Sequence, residues 1–393
     1  MSTSDDRMML KTPFHSRIEI LNELNAWENW MGYTTPSAYF DVELEYFAVR
    51  SSTGVFDLTP MNKYRITGPE SEAYLNHLVT RNVTKIREGR VGYTVWCNEA
   101  GQVMDDGTIF HLGENDYRLC AYAYAIDWLS WAAVGFDVTI VDETADVAAL
   151  AVQGPTSCSC LKAMGLAGIE NLKPFGLTTF DFEGEELMVS RTGFTGDLGY
   201  EVWITPSKAE ALWDALFKAG KPYMIKPFGS DALNMARIET GFIQAGVDFV
   251  PAEEAVRFGH TRSPFELGLG WLVDMNKPVF NGKKALQREQ KEGSRYRFVI
   301  LDVDGNKPAD HSFIMKGNKV VGTVTSAAWC PTAKSNVAFA QIEMPYGNVG
   351  EEFVAEIYYQ RELQWSRVLA PCKVIEGAVF NPDRRRATPA LAY

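Results

Sequence analysis

Residues 93–110 read YTVWCNEAGQVMDDGTIF, two runs of strand-forming residues on either side of Asn98-Glu99-Ala100-Gly101. Four residues rich in turn formers between two such runs predict a β-hairpin. If Cys97 pairs with Gln102, then Val95 pairs with Met104 and Tyr93 with Asp106, which puts this phenol and this carboxylate opposite each other on one face. Asp105 then points to the other face. Spacing alone favours a blander reading, a pair of solvated hairpin carboxylates.

Working outward, runs with strand and helix periods alternate along the whole chain, with no repeat and no low-complexity linker, and predict mixed α and β domains. Further strands are expected from Glu185 to Ser190, Tyr200 to Ile204 and Val320 to Thr325. Ser207 and Glu210 form a capping-box pattern before Ala211, Leu212, Ala215 and Leu216, and Gly220 stops that helix. A second helix is expected from Ser230 to Gly241. At 393 residues the chain is long enough for two or three domains.

A second stretch, SRTGFTGDLGYEVW from Ser190, carries Gly193, Gly196 and Gly199 and resumes as a strand at Glu201. Glycine at that density lets backbone approach a ligand closely. A carboxylate is an acceptor-only group that can take two parallel N–H bonds, which suits Glu201 to the adjacent N–H groups of a pterin. The spacing neither opens a helix nor precedes Gly-Lys-Ser/Thr, so it is no phosphate loop, and a hairpin turn explains it as readily.

Composition removes several function classes. Hydrophobic residues make up 46% and charged residues 22%, as in folded globular chains. The net charge of −12 would repel a nucleic-acid backbone or an anionic membrane. The one basic run, Arg384-Arg385-Arg386, reads as a solvated tail. The first twenty residues lack the apolar core of a signal peptide and no stretch is long enough to span a bilayer, so a cytoplasmic protein is expected. Six scattered cysteines predict free thiols, with Cys158 and Cys160 buried rather than bound to metal. No GxSxG, HExxH or Walker A pattern occurs and the five histidines are isolated. Ten tryptophans and sixteen tyrosines would fill cores and could box an onium methyl donor, at about 0.5–2 kcal/mol per ring.

Across nearly its whole length the sequence resembles the aminomethyltransferase family, the glycine cleavage T-proteins and their folate-dependent relatives. The likeness is carried by TPFHSRIE from Thr12, GVFDLTPM from Gly54, NEAGQVMDDG from Asn98, AVQGP from Ala151, RTGFTGDLGYE from Arg191, RIETG from Arg237, RSPFELGLGW from Arg262, FNGKKAL from Phe280 and GTVTSAAWCPT from Gly322. The resemblance implies an α+β fold, a three-domain cloverleaf around a central folate channel with a C-terminal β-barrel-like domain. Residues 1–63 with 149–250 would form the first, folate-binding domain; residues 64–148 with 251–290 the second; and residues 291–393 the third. It implies tetrahydrofolate as co-substrate, Asp106 as the catalytic carboxylate, and Tyr93, Glu201, Phe194 and Arg191 among the folate contacts. Flavin-bearing relatives carry an extra dinucleotide-binding domain that is missing here, so neither flavin nor metal is expected.

Departures from the T-protein pattern bear on the donor. T-proteins carry Asn where Tyr122 stands, Ala-Arg-Asp where Ala232-Leu233-Asn234 stands, Ser-His-Met where Thr59-Pro60-Met61 stands, and commonly Leu at Gly107. Tyr122, Leu233 and Asn234 are therefore assigned to the substrate. TPFHSRIE and the aromatic stretch after it are similar to the dimethylsulfoniopropionate demethylase branch, which passes a methyl group from a sulfonium to tetrahydrofolate. The expected partner is a small methylated substrate. A lipoyl carrier protein replaces it if the chain works as a T-protein, and a third reading is a folate-binding accessory protein without transferase activity, whose Lys-Gly-Cys-x-x-Gly-Gln-Glu signature is not found.

Overall fold

The computed structural model describes residues 9–257 and 259–391. The leading residues read above for a leader thus lie partly outside the described ones. Three larger units, each built on its own sheet, meet around one buried helix.

The predicted hairpin, Arg90–Cys97 with Val103–Gly113, forms the edge of a five-stranded antiparallel sheet continued by Asp116–Ala121, Asn62–Thr67 and Thr139–Asp142. Its register differs from the expected one. Cys97 pairs with Val103, the ladder shifts past Met104, and Val95 rather than Tyr93 stands opposite Asp106. The reason lies in the turn: the Asn98 side chain accepts from the backbone N–H of Ala100 and Gln102, and the Asn98 N–H donates to the Gln102 carbonyl, which withdraws Gln102 from the ladder. A displacement of two residues preserves strand parity, so Tyr93 and Asp106 still share a face.

A second, six-stranded sheet runs in the order Leu177–Phe182, Glu185–Ser190, Gly199–Ile204, Ala148–Gln153, Gly54–Asp57 and Lys226–Pro227. Strands distant in sequence therefore share it. Helices Ser157–Ala163 and Ala209–Gly220 cover one face, where Cys158 and Cys160 lie buried in the core. The capping box expected at Ser207 does not form, because Pro206–Lys208 makes a 3₁₀ turn and the helix begins one residue later. Glu210 instead meets Ser16 and Arg17 of the first helix. Residues 296–375 close a six-stranded antiparallel barrel, as the resemblance implied. All six cysteines are buried and free. No helix among the described residues is long and apolar enough to cross a membrane.

Helix Ser230–Glu239 joins these units through the RIETG motif. Arg237 is fully buried; it donates to Asp248 (2.5 Å), to Ser326 of the barrel (2.8 Å) and to its own helix neighbour Asn234 (2.9 Å). Two residues on, Glu239 accepts from Arg50 (2.7 Å) and from the Tyr46 hydroxyl (2.8 Å), itself bonded to Thr332 of the barrel at 2.6 Å. Each buried charge is paired and hydrogen-bonded, the condition under which charge is tolerated in a core.

The C-terminal segment is not the solvated tail expected from its arginines. It leaves the barrel and returns across the six-stranded sheet: Phe380 N–H donates to the Glu239 carbonyl, Arg384 forms a forked pair with buried Asp197 (both contacts 2.7 Å), and Ala390 N–H donates to the Glu170 carbonyl.

Candidate active site

Alternation along Val103–Gly113 sends Asp105 and Asp106 to opposite faces, as expected. Both Asp105 oxygens are taken by backbone, one by the Asp106 N–H and one by the Ala123 N–H, each at 2.8 Å, so this carboxylate clips neighbouring strands together. Gly107 follows because a Cβ there would lie 2.1 Å from the Cys120 carbonyl oxygen. Asp106 is half-buried and accepts from the Tyr93 hydroxyl at 2.7 Å, a diagonal contact across the ladder. Burial raises the Asp106 carboxyl to about 6 against the opposing pull of the Tyr93 hydrogen bond. Burial, then the neighbouring Asp106 charge, pushes the Tyr93 phenol well up, so the phenol keeps its proton and remains a donor.

The face carrying Asp106 also carries Phe110, and the face of Gly199–Ile204 carrying Glu201 also carries Trp203. Phe110 and Trp203 meet edge to face with centroids 5.2 Å apart, in a cluster shared by the two sheets. Strand alternation thus turns Asp106 and Glu201 toward one seam. Glu201 accepts through Oε2 from Thr192 (2.5 Å) and Ser190 (3.3 Å), while its Oε1 has no hydrogen-bond partner among the described residues. Burial raises its carboxyl to about 7, with those two hydroxyls pulling it down. A half-buried carboxylate with a vacant acceptor and no cation is a fit for the N–H edge of a pterin.

Two of the glycines before Glu201 make room for a side chain. A Cβ at Gly193 or Gly199 would lie 2.0 or 2.1 Å from Oε1 of Gln153. Gln153 fills that space, accepting from Thr195 (2.9 Å) and donating to the carbonyls of Tyr200 (3.1 Å) and Thr192 (3.3 Å), and so shapes the loop. Phe194 projects from it and stacks on Phe242 at 5.6 Å, with Arg385 over the other ring at 4.9 Å. Arg191, expected among the folate contacts, grips the C-terminal segment instead. Its guanidinium donates to the carbonyls of Leu172 (2.8 Å) and Ala387 (2.7 Å) and to the Thr388 hydroxyl (3.1 Å).

The three residues assigned to substrate make different contacts. Tyr122 packs against the same apolar cluster as Tyr93, with its ring over Gly246, where a Cβ would lie 2.9 Å from the hydroxyl. Leu233 packs with Trp30, Phe56 and Phe228 on the other side of the buried helix, and Asn234 accepts from Arg237. Glu28 and Glu254 went unnoticed in the sequence. Burial first, then the charge of Glu254, Asp105 and Glu28, raises the Tyr122 phenol, although burial also pushes the Asp105 and Glu28 carboxyls up. No motif marks either glutamate.

Residues 19–277 match the GCVT N-terminal domain and residues 296–372 the glycine cleavage T-protein C-terminal barrel domain. An aminomethyltransferase of Halothermothrix orenii is 32% identical over 348 residues, 87% of this chain and 94% of that protein. A trimethylamine-oxide aldolase of Ruegeria pomeroyi is 33% identical over 98% of this chain, which spans only 48% of that protein's length. The crystal structure of the glycine cleavage system aminomethyltransferase T from Bartonella henselae has the same fold, with a TM-score of 0.82 at 22% identity over 95% of this chain and 99% of that one.

Proposed function

We propose that this chain, which belongs to the glycine cleavage T-protein family and is a tetrahydrofolate-dependent one-carbon transferase, takes its carbon as a methyl group from a compact onium or methylated amine and delivers it to N5 of tetrahydrofolate. The observation that carries this choice of donor is Tyr122, a half-buried aromatic ring beside Gly246 whose phenol feels the negative charge of Glu254 and Glu28. Such a surrounding attracts a cation and offers it a π face. The Ruegeria relative, whose name links it to a methylated amine oxide, supports the same direction.

In this reading Glu201 holds the pterin edge through its vacant oxygen, and Tyr93 and Asp106 stand where carbon changes hands. Tetrahydrofolate supplies the nucleophilic nitrogen, to which the methyl carbon bonds as the C–S bond of a sulfonium or the C–N bond of a quaternary or protonated ammonium breaks and its electron pair leaves on a neutral thioether or amine. Asp106 orients that nitrogen, stabilises the positive charge developing on it and takes up its proton. A neutral leaving group needs no strong acid.

Aminomethyl transfer from a lipoyl carrier is the second reading, favoured by the near full-length match to the Halothermothrix aminomethyltransferase. The two readings differ in product. Purified protein with tetrahydrofolate should yield 5-methyltetrahydrofolate from sulfonium, betaine or N-methylated donors, read by mass spectrometry. A 5,10-methylene product formed only with a lipoyl carrier would replace the first reading with the second.

A further inference from the structure

The two hydroxyls that hold Glu201 are themselves supplied by a third donor. The Trp203 indole N–H, buried in the cluster shared by the two sheets, donates to the Ser190 hydroxyl at 3.3 Å. Ser190 stands 2.7 Å from the Thr192 hydroxyl and 3.3 Å from Oε2 of Glu201, and Thr192 closes on the same oxygen at 2.5 Å. The direction of this chain is fixed at its start. An indole can only donate and each hydroxyl carries one proton, so the protons all run from Trp203 toward Oε2 and none toward Oε1. Such chains polarise along their length, and a donor at one end strengthens the contact at the other. The five-stranded sheet sets the indole in place: Phe110, from the strand that carries Asp106, meets the ring edge to face at 5.2 Å, and Arg118 lies over it at 5.7 Å.

We propose that Trp203, Ser190 and Thr192 form a directed relay that fixes Glu201 through one oxygen and leaves the other free for the folate. Trp203 is then a positioning residue, acting on the pterin side of the site through two hydroxyls. This rests on the tetrahydrofolate reading above and adds to it the group that helps the anchor keep its charge. Of the titratable groups nearby, the Cys120 thiol faces Glu201 from the neighbouring sheet, and burial pushes it up to about 12, so it stays neutral. Arg118 is paired with Glu143, Lys63 donates to the carbonyls of Thr59 and Met61, and Asp106 is bonded to Tyr93.

Two measurements on the intact chain test it. One is the titration of the Glu201 carboxyl in the free protein, by carbon NMR on glutamate-labelled samples with Glu201→Gln giving the assignment. The other is calorimetric affinity for tetrahydrofolate from pH 6 to pH 9. Trp203→Phe removes the N–H and keeps a ring against Phe110; it should move the carboxyl midpoint up by about half a pH unit, the effect of one neutral hydrogen bond acting at a remove. Folate affinity should then fall about twofold at pH 7 and converge with wild type at pH 9, following the ionised fraction. Ser190→Ala leaves the indole in place and should give at least this shift, even where the tryptophan variant is too unstable to titrate. The two changes together should shift the midpoint no further than Ser190→Ala alone, because both break one chain. Thr192→Val should move it by about one unit or more, and Thr192→Ser should restore it. Midpoints unchanged in Trp203→Phe and Ser190→Ala, shifts that add in the pair, or affinity lowered equally at every pH would overturn the relay. A midpoint that moves as expected while wild-type folate affinity ignores pH would keep the relay and overturn Glu201 as the pterin anchor.

Discussion

Replacing Glu201 with glutamine should move stability and folate affinity in opposite directions. Its carboxyl is raised from 4.5 to about 7, so the ionised form is disfavoured in the free protein by roughly 3 kcal/mol relative to the unfolded chain. The sign follows from proton counts. Between pH 4.5 and about 7 the folded chain holds a proton that the unfolded chain has released, so stability falls as pH rises through this window and levels off above it. Glutamine can still accept from Thr192 and Ser190 without the cost of a buried charge, so Glu201→Gln should raise the thermal midpoint of the ligand-free protein at pH 8 by a few degrees. Pterin N–H groups, however, want the carboxylate. Wild-type affinity should therefore be about tenfold weaker at pH 6 than at pH 8, following the ionised fraction of a group near 7. The variant should lose that slope and bind about 1–3 kcal/mol more weakly at pH 8. Calorimetric titration at both pH values, with melting curves of the free proteins, reads all of these. A variant that melts lower and binds folate as tightly as wild type would refute the anchor role and leave Glu201 a structural residue.

Asp106→Asn should raise the thermal midpoint slightly at pH 8, as removing the charge of a carboxyl raised by burial does, and abolish most turnover, because it keeps the shape beside Tyr93. Asp105→Asn should do the reverse: the amide must set an N–H against one of two backbone donors, costing about 1–3 kcal/mol in melting experiments while turnover falls less. Asp248→Asn leaves Arg237 without its charged partner in the core and should cost about 3 kcal/mol in chemical denaturation, more than Ser326→Ala, which removes one neutral contact. Tyr122→Ala should raise the Michaelis constant of the donor several-fold while that of folate changes little; equal effects on both would take Tyr122 out of the donor site.

What the sequence made legible follows strand parity and local chemistry. Tyr93 and Asp106 could be joined across 13 positions because the side-chain period of a strand is 2, and the same parity made the reading survive a two-residue error in register. One residue of the error came from Asn98, whose side chain bonds two backbone N–H groups and closes the turn one residue later than counting turn formers suggests, and the other from the ladder irregularity at Met104. The glycines around Phe194 were visible, but their reason was not. They accommodate Gln153, which lies about forty residues earlier and reaches them only because Ala148–Gln153 pairs with Gly199–Ile204.

The same distance effect hid the rest. Arg237 and Glu239 read as part of a family motif, and nothing local indicates that one would bond the barrel at Ser326 and the other Arg50 on helix Val42–Ser51. The arginines near the C-terminus look like a solvated run because charge normally seeks water. They are held instead by a buried acceptor, Asp197, and by Arg191, whose own fork is filled by the tail's carbonyls. One consequence is that the tail, the Phe194 loop and Glu201 form a single unit: Asp197 lies in that loop, four residues before the glutamate. Arg384→Ala should therefore loosen the loop and weaken folate binding without touching Tyr93 or Asp106, lowering affinity while leaving the rate at saturating folate near wild type. A loss of that saturating rate with unchanged affinity would mean that the tail supports the reacting centre and not the pterin side of the site.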